Sequence, residues 1–119
     1  MALILVVDDD PQVRRWIQDV LESEGLEVAT AAEGRQALEL AARQPPALVV
    51  LDVTLPGLHG AHVGRGLREL LGSHVPILVI TADGRAAEKA AEVQAYAYLR
   101  KPFTMDELMA AVRRGLGDD

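Results

Sequence analysis

The sequence contains no cysteine, which excludes disulfide bonds and thiolate chemistry. It also lacks an excess of basic residues, because 12 Lys and Arg stand against 18 Asp and Glu, giving a net charge of −6. Phosphate backbones are held by clustered Lys and Arg, so we do not expect this chain to bind nucleic acid directly. A cationic or metal-bridged partner fits this charge better.

Long apolar runs are also absent, so the sequence predicts no membrane span and no membrane partner. The apolar run at residues 2–7 is too short for a signal peptide, and no basic residues precede it. We therefore expect a cytoplasmic location. Repeats, low-complexity tracts and linkers are missing too, and 119 residues fit one domain, which we predict to cover residues 1–119.

Five segments have the composition of β-strands. Residues 3–7 and 47–51 are entirely apolar, a pattern typical of strands buried on both faces of a parallel sheet. Residues 27–31 alternate only weakly and suit a strand nearer the sheet edge. The remaining two predicted strands are residues 76–81 and 95–99.

Segments with helical spacing of apolar residues lie between and after the strands. The first helix is predicted to begin with Asp10 as N-cap and Pro11 at its first position, and the last with a capping box of Thr104 and Glu107. The fourth predicted helix is a short Ala-rich segment at 85–93. In chain order, the apolar faces of the other four are Val13, Trp16, Ile17, Val20 and Leu21; Ala37, Leu38 and Ala41; Val63, Leu67, Leu70 and Leu71; and Leu108, Val112 and Leu116.

Five strands alternating with five helices predict an α/β fold with a doubly wound parallel sheet and helices on both faces. We expect the third helix to be the least rigid, since Gly64 and Gly66 each weaken a helix interior by about 1 kcal/mol relative to Ala.

Polar side chains follow four of the predicted strands: Asp8 and Asp9, Asp52, Thr81 and Lys101. The carboxyl ends of parallel strands meet at one edge of the sheet, where ligands bind. Clustered carboxylates repel unless a cation lies among them, and oxygen ligands with phosphate favour Mg²⁺. Asp52 could then form an acyl phosphate, with Mg²⁺ and Lys101 neutralising the incoming oxygens and Thr81 donating a hydrogen bond.

Simpler interpretations of these residues stay open at this point. Asp52 could start a turn, the Asp8–Asp9 pair could be a solvated helix cap, and Lys101 could be a surface lysine. Thr81 and Tyr98 could serve only strand packing. Asp10 is interpreted as a cap alone.

Four motifs, in this order, resemble the receiver domain of two-component response regulators. The resemblance covers nearly the whole chain and implies a flavodoxin-like, three-layer fold with five helices and a five-stranded sheet in the order 2-1-3-4-5. The motifs are Val7-Asp8-Asp9-Asp10-Pro11, Leu51-Asp52 with Pro56 and Gly60 after it, Ile80-Thr81-Ala82, and Tyr98-Leu99-Arg100-Lys101-Pro102-Phe103.

The resemblance implies a role for each matching residue. Asp52 matches the phosphorylated aspartate, which receives its phosphoryl group from a histidine kinase or phosphotransfer protein. Asp9 matches the direct Mg²⁺ ligand and Asp8 the acid that holds the ion through water. The backbone carbonyl of Thr54 matches a further metal ligand. Thr54 and Asp83 also flank the path of the hydrolysing water, so we hypothesise that they set the lifetime of the phosphoryl group.

The resemblance further implies that Thr81 and Lys101 hold the phosphoryl oxygens and that the Lys101-Pro102 bond is cis. Thr81 and Tyr98 match the two switch residues, whose movement alters the surface of the fourth helix, fifth strand and fifth helix. That surface would control a downstream protein or effector domain, with a phosphorylation-dependent dimer as one outcome. Two departures concern the segment 81–101, which is about two residues short, and Gln94, which replaces a common glycine.

The leading hypothesis is therefore a signalling switch and not an enzyme, although one that assists its own phosphorylation and dephosphorylation. A small aspartyl-phosphate phosphohydrolase or transferase would share the acids, Mg²⁺, Thr and Lys, but such an enzyme normally needs room for a cap or substrate pocket. A docking module that is never phosphorylated is the third class, and the intact acidic set argues against it.

Overall fold

The computed structural model describes residues 2–54, 60–82 and 84–117. Five strands alternate with five helices, as predicted. No described helix has both the length and the apolar character needed to cross a membrane. The elements are β1 Leu3–Val7, α1 Pro11–Ser23, β2 Glu27–Ala31, α2 Gly34–Arg43, β3 Leu48–Asp52, α3 Gly60–Leu71, β4 Ile77–Thr81, α4 Ala86–Glu92, β5 Ala97–Arg100 and α5 Met105–Gly115.

The strands form one parallel sheet in the order β2-β1-β3-β4-β5, which confirms the predicted topology. All residues of β3 and β4 are buried, whereas β2 and β5, at the two edges, are partly exposed. This difference explains the sequence pattern, because a central strand of a covered parallel sheet needs apolar side chains on both faces.

Two apolar layers cover the sheet. Side chains of β1 alternate between them: Leu5 and Val7 pack with α2, α3 and α4, while Ile4 and Val6 pack with α1 and α5. Burying one such aliphatic side chain contributes about 1.5–3 kcal/mol to folding. The three layers of helix, sheet and helix predicted for the chain are confirmed, and the sheet's carboxyl edge is left for the polar residues.

The predicted helix caps are present. The Asp10 carboxylate accepts hydrogen bonds from the backbone N–H groups of Gln12 and Val13, at 2.9 and 3.4 Å. Thr104 and Glu107 form the reciprocal capping box at the start of α5. Each cap satisfies backbone donors that the first helical turn would leave unpaired. The cis Lys101-Pro102 bond is also present.

Three details differ from the sequence-based expectations. β5 begins at Ala97 and not at residue 95, because the Ala95 N–H still bonds the Ala90 carbonyl and closes α4. Leu70 is 46% exposed, so the apolar face of α3 does not include it. Trp16 is 38% exposed at the margin of α1, where its ring lies 5.8 Å from that of Phe103.

The two glycines of α3 differ in their surroundings. A Cβ on Gly64 would lie 2.7 Å from the Cβ of Val93, which is too close for two carbon atoms. The absence of a side chain on Gly64 therefore lets α3 lie this close to the end of α4. A Cβ on Gly66 would lie 3.0 Å from the tip of the Leu38 side chain, which can move aside. Our expectation that α3 is the least rigid helix stays a prediction.

We predict that Gly64→Ala destabilises the protein by about 1–3 kcal/mol, because overpacking outweighs the better helix propensity of Ala. Gly66→Ala is the matched control and should change the free energy of unfolding by less than about 1 kcal/mol. Chemical denaturation of both variants measures the difference. Equal stabilities would contradict the close-packing role of Gly64.

Candidate functional site at the carboxyl edge of the sheet

Three carboxylates meet at the carboxyl edge of the sheet. Asp8, Asp9 and Asp52 each offer an oxygen within 4.8 Å of the others, and they form the only such acidic or metal-ligating group among the described residues. Asp8 directly follows β1 and Asp52 ends β3, and these strands are neighbours in the sheet. Asp8 and Asp52 are buried, whereas Asp9 is exposed to solvent.

Lys101 supplies the positive charge of the cluster. Its Nζ lies 2.9 Å from Oδ2 of Asp8 and 3.1 Å from Oδ2 of Asp52. Lys101 follows β5, so its side chain reaches past β4 to the acids of β1 and β3. Its backbone N–H donates to the Thr81 carbonyl at 2.9 Å, which fixes where the side chain starts.

Local hydrogen bonds orient the two buried carboxylates. Oδ1 of Asp52 accepts from the backbone N–H of Thr54 at 2.9 Å and from its hydroxyl at 2.6 Å, leaving Oδ2 for Lys101. Oδ1 of Asp8 accepts from the backbone N–H of Asp10 at 2.9 Å. Oδ2 of Asp8 has no well-directed hydrogen bond, so its contact with Lys101 is an ion pair.

Charge is unevenly balanced in this cluster. Burial raises the pKa of Asp8, and the nearby charge of Asp52 adds to that effect against the opposing contacts of Lys101 and the Asp10 N–H. Burial alone would lower the pKa of Lys101, but its hydrogen bond with Asp52 and its ion pairs with Asp8 and Asp52 outweigh burial and raise it. Lys101 therefore remains charged at neutral pH. Counted by formal charge, three carboxylates and one ammonium give −2 at the site.

The residues present fit a hard divalent cation. Every candidate ligand is a carboxylate oxygen, and one of them, Oδ2 of Asp8, is buried without a hydrogen bond. Oxygen-only ligands with a net negative charge are the donor set that Mg²⁺ prefers. The structure thus brings together the three carboxylates that we expected to hold Mg²⁺.

The other predicted site residues lie at different distances from the cluster. Thr81 is fully buried at the end of β4, one residue beyond the partner of Asp52 in the sheet register. Thr54 is exposed in the loop after β3. Tyr98 lies in β5, outside the cluster, and is 45% exposed. Asp83 and the motif residue Pro56 lie outside the described residues.

One contact at the site was not predicted. Nη1 of Arg14 donates a hydrogen bond of 2.8 Å to the backbone carbonyl of Asp8, tying α1 to the loop that carries the acids. Arg14 stands four residues after the cap Asp10, which places it one turn along the helix that begins at this edge. That spacing could have indicated the contact.

Comparisons with known proteins agree with this arrangement. The chain matches the response regulator receiver domain family over residues 4–113, and it belongs to that family. Receiver domains of this family are signalling switches of two-component systems, and they typically bind Mg²⁺ through acidic residues.

The chain resembles several named proteins. It is 46% identical over 112 residues to the response regulator MprA of Mycolicibacterium vanbaalenii, covering 92% of this chain and 48% of that protein. It is 41% identical over 113 residues to the transcriptional regulatory protein KdpE of Mycobacterium tuberculosis, covering 95% and 50%. The chain thus spans about half the length of the curated relatives it matches.

Solved structures show the same fold. The chemotaxis protein CheY4 of Vibrio cholerae aligns with a TM-score of 0.90 and 31% identity, covering 98% of this chain and 99% of that one. A putative response regulator from Chloroflexus aurantiacus aligns with a TM-score of 0.90 and 35% identity, covering 98% of both chains. NtrX of Brucella abortus aligns with a TM-score of 0.90 and 31% identity, covering 98% of this chain and 27% of that one.

We predict that Mg²⁺ stabilises the folded protein, because the ion offsets the repulsion among the carboxylates. At a concentration ten times the dissociation constant the gain should be about 1.4 kcal/mol. Asp9→Asn should lose most of this gain, whereas Asp19→Asn, which removes an exposed acid of α1, should keep it. Denaturation with and without MgCl₂ measures the effect; equal gains in the two variants would contradict the assignment.

Proposed function

We propose that the chain is the phospho-acceptor of a two-component or phosphorelay system, with residues 1–119 forming a single receiver domain and Asp52 receiving the phosphoryl group. A histidine kinase or a phosphotransfer protein is the proposed donor. The observation that carries the proposal is the position of Asp52, which is buried, oriented by Thr54 and paired with Lys101 beside two further acids.

The proposed step is a phosphoryl transfer to a carboxylate. An oxygen of Asp52 forms a bond to phosphorus while the bond to the donor's imidazole nitrogen breaks, which yields an acyl phosphate. Thr54 holds Oδ1 of Asp52, and the Lys101 ammonium moves its contact from the carboxylate to an oxygen of the phosphoryl group. Thr81, buried at the same edge, donates its hydroxyl hydrogen to another phosphoryl oxygen.

The proposed Mg²⁺ ligands are Asp8, Asp9, Asp52 and the backbone carbonyl of Thr54, with Asp8 acting through water. When bound, Mg²⁺ supplies positive charge that neutralises the carboxylates and the incoming phosphoryl oxygens. Without that charge, the site's excess of −2 would repel a phosphate dianion, which explains why a metal is needed in addition to Lys101.

An apolar cleft beside the site supports a protein as phosphodonor. It has a volume of about 540 Å³ and adjoins Lys101 between the start of α1 and the segment after β5. A partner carrying the phosphohistidine could cover this cleft and so exclude water from Asp52. The lining residues are Gln12, Val13, Trp16, Ala82, Lys101, Pro102 and Phe103.

The proposed output is a change in the surface formed by α4, β5 and α5. Tyr98 is 45% exposed on this surface, next to a groove of about 460 Å³ whose walls include several alanines of α4. A groove with such small side chains leaves room for the ring to turn inward when Thr81 moves toward the phosphoryl group. A downstream protein, an effector domain or a second copy of the chain would then detect the altered surface.

The enzymatic alternative is not favoured. A small aspartyl-phosphate phosphohydrolase or transferase would use the same acids, Thr81 and Lys101, but the family to which the chain belongs consists of switches. The two functions differ in turnover, because a switch keeps the phosphoryl group that it accepts whereas an enzyme releases product repeatedly.

Incubation with acetyl phosphate and Mg²⁺ tests the proposal. We expect intact-mass spectrometry to show one added phosphoryl group per chain, none on Asp52→Asn, and wild-type modification of the control Asp19→Asn. The amide of Asn cannot form the acyl phosphate that the Asp52 carboxylate is proposed to form. Phosphorylation of Asp52→Asn at another site would sink the assignment, and rapid multiple turnover would support the enzyme instead.

Thr54→Ala is predicted to shorten the lifetime of the phosphoryl group. The exposed Thr54 side chain bonds Asp52, and we propose that it flanks the path of the hydrolysing water. Its removal should therefore speed hydrolysis about fivefold, the factor for about 1 kcal/mol. Thr54→Ser, which keeps the hydroxyl, is the control, and Asp83→Ala tests the second proposed position. Unchanged dephosphorylation rates in both Ala variants would end the hypothesis.

Tyr98→Ala is predicted to accept phosphate normally but to transmit little change to α4. Without the ring, the inward movement of Thr81 has no large side chain to draw into the groove. Amide chemical shifts of Ala87 and Ala91, recorded before and after phosphorylation, measure the response, and Tyr98→Phe should retain it. A full response in Tyr98→Ala would show that this side chain is not the switch.

A further inference from the structure

Arg68 of α3 joins three parts of the fold through backbone carbonyls. Its guanidinium donates to the carbonyls of Gln94 at 2.7 Å and of Val93 at 3.4 Å, just beyond the last residue of α4. It also donates to the carbonyl of Val75, just before β4, and to that of Gly72, just after α3, at 3.4 Å. One side chain therefore satisfies four carbonyls, two in the connection from α3 to β4 and two in the connection from α4 to β5.

A second feature holds the same end of α4. Gly64, one turn before Arg68, lets the backbone of α3 approach Val93 so closely that a Cβ would be 2.7 Å from the Cβ of Val93. Val93 is buried, and Gln94 has a φ of 56°, a left-handed conformation that costs a non-glycine residue about 1–2 kcal/mol. Because contacts to both residues compensate for that cost, the chain is held in this turn.

The other end of α4 is attached differently. The N-terminal end of α4 follows the connection from Thr81, the last residue of β4, which lies at the proposed phosphorylation site. The first residues of the helix, Ala86 and Ala87, have only methyl side chains, so that even Ala86, which is buried, contributes little apolar area. The helix is also short, at 7 residues, so it can turn as a rigid unit about whichever end is held.

We propose that Arg68 is a positioning residue that pins the C-terminal end of α4 to α3 and to the start of β4. A change at Thr81 is then expressed at the N-terminal end of α4, as a rotation about Val93 and Gln94. This second step rests on the proposed phospho-acceptor function, whereas the pin itself is a property of the unmodified protein.

Amide hydrogen exchange of the unmodified protein tests the pin. The Gln94 and Ala95 amides, which bond the carbonyls of Ala91 and Ala90, report the pinned end. Arg68→Met, which keeps the apolar length and removes the donors, should speed their exchange at least about tenfold relative to Val79, a core amide that reports global unfolding. Arg68→Lys, which keeps the charge and some donors, should restore part of the protection.

Arg65→Met is the matched control, since Arg65 lies one turn earlier on α3 and lines, with Arg68 and Gln94, a cleft between α3 and the end of α4. Arg65 makes no hydrogen bond or ion pair within the described part of the chain. This variant should leave the Gln94 and Ala95 amides unchanged. Equal effects of Arg68→Met and Arg65→Met, or a uniform rise that includes Val79, would overturn the pin.

If Arg68→Met does not fold, the wild-type rates decide: exchange at Ala95 faster than at Lys89, in the first half of α4, would overturn the pin, and slower exchange would support it.

Phosphorylation with acetyl phosphate and Mg²⁺, verified by intact mass, tests the rotation. In the wild-type protein the amide chemical shifts of Ala86 and Ala87 should change more than those of Gln94 and Ala95, and in Arg68→Met the two ends should change alike. A larger change at the Gln94 end of the wild-type protein would overturn the rotation. Failure to take up the phosphoryl group would count against the proposed function and leave the result for the pin intact.

Discussion

A single ammonium group between two buried carboxylates is the interaction on which the site depends. Lys101 lies within ion-pair distance of Asp8 and Asp52, and both acids are almost completely removed from solvent. Removing one partner of a buried ion pair leaves an uncompensated charge, at a cost of about 3–5 kcal/mol. The ammonium thus offsets part of the cost of burying two acids at the same edge.

The site is nevertheless left with an excess of negative charge, and this imbalance connects stability with function. A cluster with no net charge would attract a cation only weakly. It would also not favour moving the Lys101 ammonium from a carboxylate to another anion. The apolar sheet beneath it, in which β3 and β4 are entirely buried, holds the carboxylates in place at the strand ends. A buried layered core therefore supports a polar edge whose charges fit the proposed Mg²⁺ and phosphoryl group.

Much of this arrangement could be predicted from local patterns. Uninterrupted apolar runs indicated the central strands, and the caps at Asp10 and Thr104 marked where α1 and α5 begin. Two predictions failed where the spacing of apolar residues was misleading. Leu70 has suitable spacing for the inner face of α3 but is exposed, and β5 starts late because Ala95 bonds back to α4. Gln94 has the left-handed φ of 56° that glycine usually adopts at a helix end, so no glycine marked the turn that closes α4.

The amino-acid sequence by itself determined the five strands, the helices between them and the polar residues at the strand ends, because periodicity and capping act over a few neighbouring residues. Only the tertiary structure decided that Lys101 reaches Asp8 and Asp52, that Arg14 holds the Asp8 carbonyl and that Arg68 joins α3 to the end of α4. Those contacts depend on the order and register of the strands and on the direction of long side chains, which the packing of the whole sheet sets.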